Sequence, residues 1–193
     1  MNKPEGTNVC FKPNSLIYDS RNILSLTAIE QDFDNVLWLD SDILAPPDTL
    51  TRMQDYFRNG YDMISGLYFK RFMPTSPVIY SNVAPPRKDE NGRLTKQITD
   101  YLDYPENSFF PIAGCGFGCV LTSTRLLKSL WDQFGPPFHP FTWASEDISF
   151  CYRVNQSGAQ IYADSSILCG HVGTITYTYQ FYRREGEPNA QNP

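Results

Sequence analysis

The stretch NVLWLDSDILAPPDTL, residues 35–50, decides how the rest of the chain is read. After Asn35, residues 36–39 are a continuous apolar run, the pattern of a strand buried on both faces near the centre of an α/β sheet. The run ends in Asp40 and Asp42, separated by Ser41. Residues i and i+2 of a strand share a face, so both carboxylates can converge on one point at the sheet's C-terminal edge. That edge is where open α/β sheets bind ligands, and paired carboxylates there suit a hard divalent cation such as Mg²⁺ or Mn²⁺. Acidic residues also close strands and cap helices. Pro47 fits the first turn of a following helix, which is expected to run to YFRN and stop at Gly60. Taken alone, the pair is open to either reading.

The chain has 193 residues, 41% of them hydrophobic and 19% charged, which fits one globular domain with its own core. Residues 173–193 are expected to be a C-terminal tail, whose YTYQFYRR segment (177–184) fits a plain edge strand better than a segment that closes over a site or packs on a partner. A net charge of −5 argues against general nucleic-acid binding, which needs a basic surface to neutralise phosphates. The five cysteines have no C-x-x-C spacing and read as reduced thiols of a cytoplasmic protein. No apolar run reaches the length of a membrane span, and MNKPEGTNVC has no signal-peptide core.

Elsewhere NVCF fits a short first strand, and Asp19 or Ser20 fits the cap of a helix through RNILSLTAIEQ. YDMISGLYF is another strand, and residues 70–110 are Pro-rich strands and loops with a turn at DENG. GCGFGCVLT leads into a helix, STRLLKSLWDQF, with Ser123 as its cap. A helix from Ser145 to a stop at Gly158 precedes two short strands, AQIYAD and SILCGH. The alternation predicts an α/β domain with a mixed, mainly parallel sheet flanked by helices.

Three further places carry possible chemistry. Glu146 and Asp147 open a helix, where acidic residues favour the macrodipole, yet they follow the aromatic loop PPFHPFTWAS. A carboxylate presented there can accept a proton from a hydroxyl. His171 ends an apolar strand, and imidazole suits Mn²⁺ beside carboxylates. His139, between Phe138 and Pro140, reads as loop packing. GCGFGC, residues 114–119, lacks the lysine and glycine spacing of nucleotide-binding loops. Its glycines allow close backbone approach to a ligand or to a neighbouring strand.

In order along the chain, VLWLDSDILAPPDTL, AGCGFGCVLTSTRLL and SEDISFCYRVNQSGAQIYADSSILCGHVG resemble the GT-A fold glycosyltransferases, in particular the family 2-like group. The resemblance extends from about Asp34 to Gly173. It implies a metal-dependent transferase that moves a sugar from a nucleotide-diphosphate sugar to an acceptor hydroxyl on a glycan, protein or other molecule, with inversion. Asp42 would hold Mn²⁺ or Mg²⁺, with His171 as a further ligand and Asp40 assisting through the metal or the ribose. Asp147 would be the general base, and Glu146 a neighbour that positions sugar or acceptor. Arg21 and Asn22, in SLIYDSRN, would approach the nucleotide; Gly116 and Trp143 are counted with the nucleotide- and sugar-binding positions. The family's usual opening strand, of the xxIPTxN type, which holds the nucleobase, has no counterpart in residues 1–12.

Two other readings fit the same residues. One is a degenerate nucleotide-sugar-binding or scaffold protein without transferase activity. The other is a metal-dependent phosphoryl-transfer enzyme or nuclease. Leu44 stands where an aspartyl phosphatase would carry threonine, and basic residues for a nucleic-acid backbone are missing.

Overall fold

The computed structural model describes residues 1–173 together with Thr178 and Tyr179. The apolar run at 36–39 lies in a strand, β1 (Asn35–Leu39), reached from helix α1 (Ile17–Glu30). The chain then forms β2 (Ile43–Leu44), α2 (Thr49–Arg58), β3 (Met63–Leu67), β4 (Ile79–Lys88) and β5 (Leu94–Asp100). Next come β6 (Phe109–Ile112), β7 (Gly114–Cys115), β8 (Cys119–Ser123), α3 (Thr124–Phe134) and α4 (Glu146–Gln156). Strands β9 (Ile161–Leu168) and β10 (Gly170–His171) complete the described elements.

The main sheet has the order β1-β8-β3-β9-β6, so β1 lies at an edge with only Trp38 buried, not near the centre and buried on both faces as its apolar run predicts. Strands β1, β3 and β9 run the same way, but β8 lies antiparallel between β1 and β3. Strand β6 is antiparallel at the far edge, so only β3–β9 is a parallel pair. The sheet is therefore mixed and not mainly parallel as the alternation predicts. An apolar run such as CVLTS satisfies both faces of a central strand whichever way it points, so its direction leaves no trace in composition.

Both faces of this sheet are covered. Met63, Val120, Ile161 and Ala163 pack with Leu126, Leu127 and Leu130 of α3 and Phe150 and Val154 of α4. The alternate residues Ile64, Leu121 and Ile167 pack with Leu50 and Met53 of α2. That is why every residue of β3 and β8 is buried. Each fully buried Leu or Met contributes roughly 1.5–3 kcal/mol.

Helix α3 starts as its sequence requires: Ser123 Oγ accepts the Leu126 N–H at 2.9 Å. The DENG turn also forms, between β4 and β5, with Asp89 Oδ1 accepting from the Asn91 and Arg93 N–H groups. Other boundaries shift. No strand forms at NVCF, where Cys10 and Phe11 are exposed. Helix α1 begins at Ile17 with Leu16 as its cap residue, which puts Asp19 in the first turn. Helix α2 begins at Thr49 after Asp48, beyond Pro47. AQIYAD and SILCGH are largely one strand, β9, with a bulge after Asp164. YTYQFYRR lies outside the described residues except for Thr178 and Tyr179. Among the described residues, no helix is long and apolar enough to cross a membrane.

Candidate functional site

Asp40 follows the last residue of β1, and its N–H donates to Gly118 O at 3.0 Å. That bond fixes the end of β1 against the chain entering β8. Two residues on, Asp42 is clamped by a ribbon of two short strands. Ile43 of β2 pairs with His171 of β10, and the Val172 N–H donates to Asp42 O at 2.8 Å. The pairing brings Asp42 Oδ2 to 3.6 Å from His171 Nε2. His171 Nδ1 lies 2.7 Å from Phe69 O. A carbonyl only accepts, so Nδ1 carries a proton; in the neutral ring the lone pair is then on Nε2, on the Asp42 side. A ring oriented through its second nitrogen is the usual arrangement of a metal-binding histidine.

The acidic start of α4 comes to the same edge. Arg21, buried in α1, donates to Glu146 Oε1 at 2.6 Å and to Asp40 Oδ1 at 3.0 Å. One guanidinium thus joins the strand tip to the helix start across 125 residues of sequence. Burial outweighs that guanidinium and leaves the Asp40 carboxyl above its ordinary range. Glu146 is raised for the same reason, with the neighbouring Asp147 charge adding to burial. Asp147 Oδ1 accepts from Ser145 Oγ and, at 2.7 Å, from the Ile148 N–H. Both bonds on Asp147 fall on Oδ1, and they do serve the helix start.

The loop before α4 is fixed from behind. Arg153 lies 4.3 Å from the centre of the Phe141 ring and donates to Pro137 O at 2.9 Å. Phe141 N–H donates to Ser149 Oγ at 2.9 Å. These contacts hold Glu146 and Asp147 against the sheet edge.

The remaining expected residues are placed differently. Asn22 turns inward, where its Oδ1 accepts the Phe138 N–H at 3.0 Å. Arg21 likewise spends its donors on carboxylates. Trp143 stacks on Phe141 with ring centres 5.3 Å apart and meets Tyr152 edge-on. Gly116 is buried, and a Cβ there would collide with Tyr68 Oη. The close approach that GCGFGC permits is therefore to a side chain, since Gly118 also faces the Tyr68 ring. His139 packs edge-on against Tyr18, as a loop residue should.

Three participants were missing from the sequence reading. Tyr68 Oη accepts the Gly118 N–H at 3.2 Å, and its ring meets His171 edge-on at 5.3 Å. Burial raises its hydroxyl pKa well above the ordinary value. Phe69 supplies the carbonyl that orients His171. Arg71 donates to Asp42 Oδ2 at 2.7 Å. Only Arg71 left a signal, being a cation just past the end of a core strand on the edge that carries Asp40 and Asp42.

The donor set fits a divalent cation in part. Asp42 and His171 offer an oxygen and a free imidazole nitrogen within reach of one ion, while Asp40 is turned to Arg21. Among the described residues, no three His, Cys, Asp or Glu side chains already stand together as a metal cluster.

No family model matches the sequence, and no curated protein matches it. Among solved structures, the crystal structure of A197 from STIV superposes with a TM-score of 0.57 at 20% identity, over 83% of this chain and 69% of A197. The likeness is one of fold. The crystal structure of apo UDP-glucose pyrophosphorylase gives a TM-score of 0.44 at 10% identity, over 79% of this chain and 53% of that one. A superposition that loose carries no inference about site or activity.

Proposed function

We propose that this chain is a metal-dependent glycosyltransferase of the GT-A type, which moves a sugar from a nucleotide-diphosphate sugar to an acceptor hydroxyl with inversion. The observation that carries the reading is the meeting of three separate segments at one sheet edge. They are the D-x-D after β1, the Glu146–Asp147 start of α4, and His171 at the end of β10.

Asp42 and His171 would hold Mn²⁺ or Mg²⁺, with the donor, water or Asp40 completing the shell. A bound divalent cation supplies positive charge against the diphosphate as it leaves. Asp147 takes the acceptor's proton. The acceptor oxygen then bonds to the anomeric carbon as the bond from that carbon to the phosphate oxygen breaks, and the nucleoside diphosphate departs. Glu146 is held by Arg21, so it positions groups and does not compete for the proton. The free thiols, four of the five buried, support a reducing, cytoplasmic setting.

One observation favours the alternative of a binding protein without catalysis: both D-x-D carboxylates already have arginine partners. A panel of nucleotide sugars incubated with and without Mn²⁺ separates the two. Mn²⁺-dependent release of a nucleoside diphosphate is expected. Donor binding without release in every case, even with simple sugar acceptors present, would establish the binding protein instead.

A further inference from the structure

Arg71 has no part in the reaction just described, yet it occupies the point where Asp42 and His171 converge. Its Nη1 donates to Asp42 Oδ2 at 2.7 Å and to Val172 O at 2.9 Å. The same Oδ2 lies 3.6 Å from His171 Nε2. A guanidinium keeps its charge at any working pH, so it leaves a carboxylate only by being displaced.

The loop that carries Arg71 is anchored at its base and open at its tip. Lys70 N–H donates to Ser76 O at 2.9 Å, and the Lys70 and Ser76 side chains both bond Asp100, at 2.6 and 3.1 Å. Phe72 and Met73 at the tip are 61% and 59% exposed. The Arg71 and Asp42 side chains are 45% and 34% exposed. Rotation of the Arg71 side chain therefore frees Asp42 without unfolding the loop.

We propose that Arg71 is an exchangeable counter-ion, which neutralises Asp42 until a divalent cation takes that carboxylate and then turns to the donor's diphosphate. The inference rests on the assignment of Asp42 and His171 to a metal. Its physical basis is the location of the freed guanidinium. Its planar fork matches phosphate oxygens, and it is left beside the place where a metal-bound diphosphate must lie. Arg71 therefore has effects of opposite sign on two ligands: it opposes the cation and favours the diphosphate.

The test is calorimetric titration of Arg71→Gln and the unaltered protein with MnCl₂ alone, then with inorganic pyrophosphate at saturating Mn²⁺. Arg71→Gln should bind Mn²⁺ up to about fivefold more tightly, the scale of a half-exposed ion pair removed from competition. It should bind pyrophosphate about tenfold more weakly, the scale of a lost charge-assisted hydrogen bond. A general loss of structure would weaken both. Unchanged or weaker Mn²⁺ binding by Arg71→Gln would overturn the counter-ion role and leave the metal assignment standing. Tighter Mn²⁺ with unchanged pyrophosphate would overturn the turn to the diphosphate. Mn²⁺ binding that persists in Asp42→Asn, or no binding by any of the proteins, would overturn the metal assignment and this proposal with it.

Discussion

Asp40 and Asp42 stand two residues apart, and each is paired with an arginine. Arg21 is 6% exposed, comes from a helix, and divides its donors between Asp40 and Glu146. Arg71 is half-exposed, comes from a loop tip, and shares Asp42 with a histidine. The first pair joins elements far apart in sequence, and removing its buried cation would leave Glu146, 16% exposed, and the more accessible Asp40 without their partner. The second can exchange one cation for another while both partners stay solvated. One half of the D-x-D motif is thus tied to a buried arginine of a helix, and the other to a half-exposed arginine of a loop.

The largest effect should come from the helix start that Arg21 holds in place. Asp147→Asn keeps size and shape but cannot take a proton, so sugar transfer should fall on the order of 10²–10⁴-fold while donor binding survives. Glu146→Gln, which still accepts from Arg21, should lose far less. Initial rates with a common donor and acceptor check both. Equal losses in the two variants would reduce Asp147 to the helix-start role that its bonds to Ser145 and Ile148 already perform.

Arg21→Met should separate the two halves by stability. It strands Asp40 and Glu146, whose side chains are 40% and 16% exposed. The loss expected in urea unfolding is about 2–3 kcal/mol, somewhat below that of a fully buried broken pair because Asp40 reaches solvent. Arg71→Gln, by contrast, should leave unfolding within about 1 kcal/mol of the unaltered protein. Similar costs for the two would mean that the halves are alike, and the distinction would collapse.

Tyr68 links the halves, because it accepts the N–H of Gly118, whose carbonyl accepts from the Asp40 N–H, while its ring edge meets His171. Tyr68→Phe keeps the ring and removes one hydrogen bond, so about 1 kcal/mol of stability should be lost. Mn²⁺ affinity should change less than in His171→Ala, since the ring contact remains. A larger loss of Mn²⁺ binding in Tyr68→Phe would place the hydroxyl itself at the ion.

Much of this architecture was legible in the residues. The apolar run into Asp40, the Ser123 cap, the DENG turn and the acidic start of α4 are local patterns, and local patterns survive folding. The two arginine pairs were not legible. Arg21 meets Glu146 across 125 residues, a pairing that no periodicity records. Asn22 and Gly116 carried residue types that suit a ligand, but tertiary packing uses them first, against Phe138 and Tyr68. The antiparallel β8 was hidden because burial on both faces removes the alternation that would mark its direction and register.

The unequal halves of D-x-D are tested most directly by Mn²⁺ titration followed by electron paramagnetic resonance, on Asp42→Asn, His171→Ala and Asp40→Asn side by side. Asp42→Asn should abolish binding, and His171→Ala should weaken it about tenfold or more. Asp40→Asn, whose carboxylate is committed to Arg21, should weaken it least. Binding that survives Asp42→Asn and disappears in Asp40→Asn would place the ion on Asp40 and contradict the assignment of Asp42 to the metal.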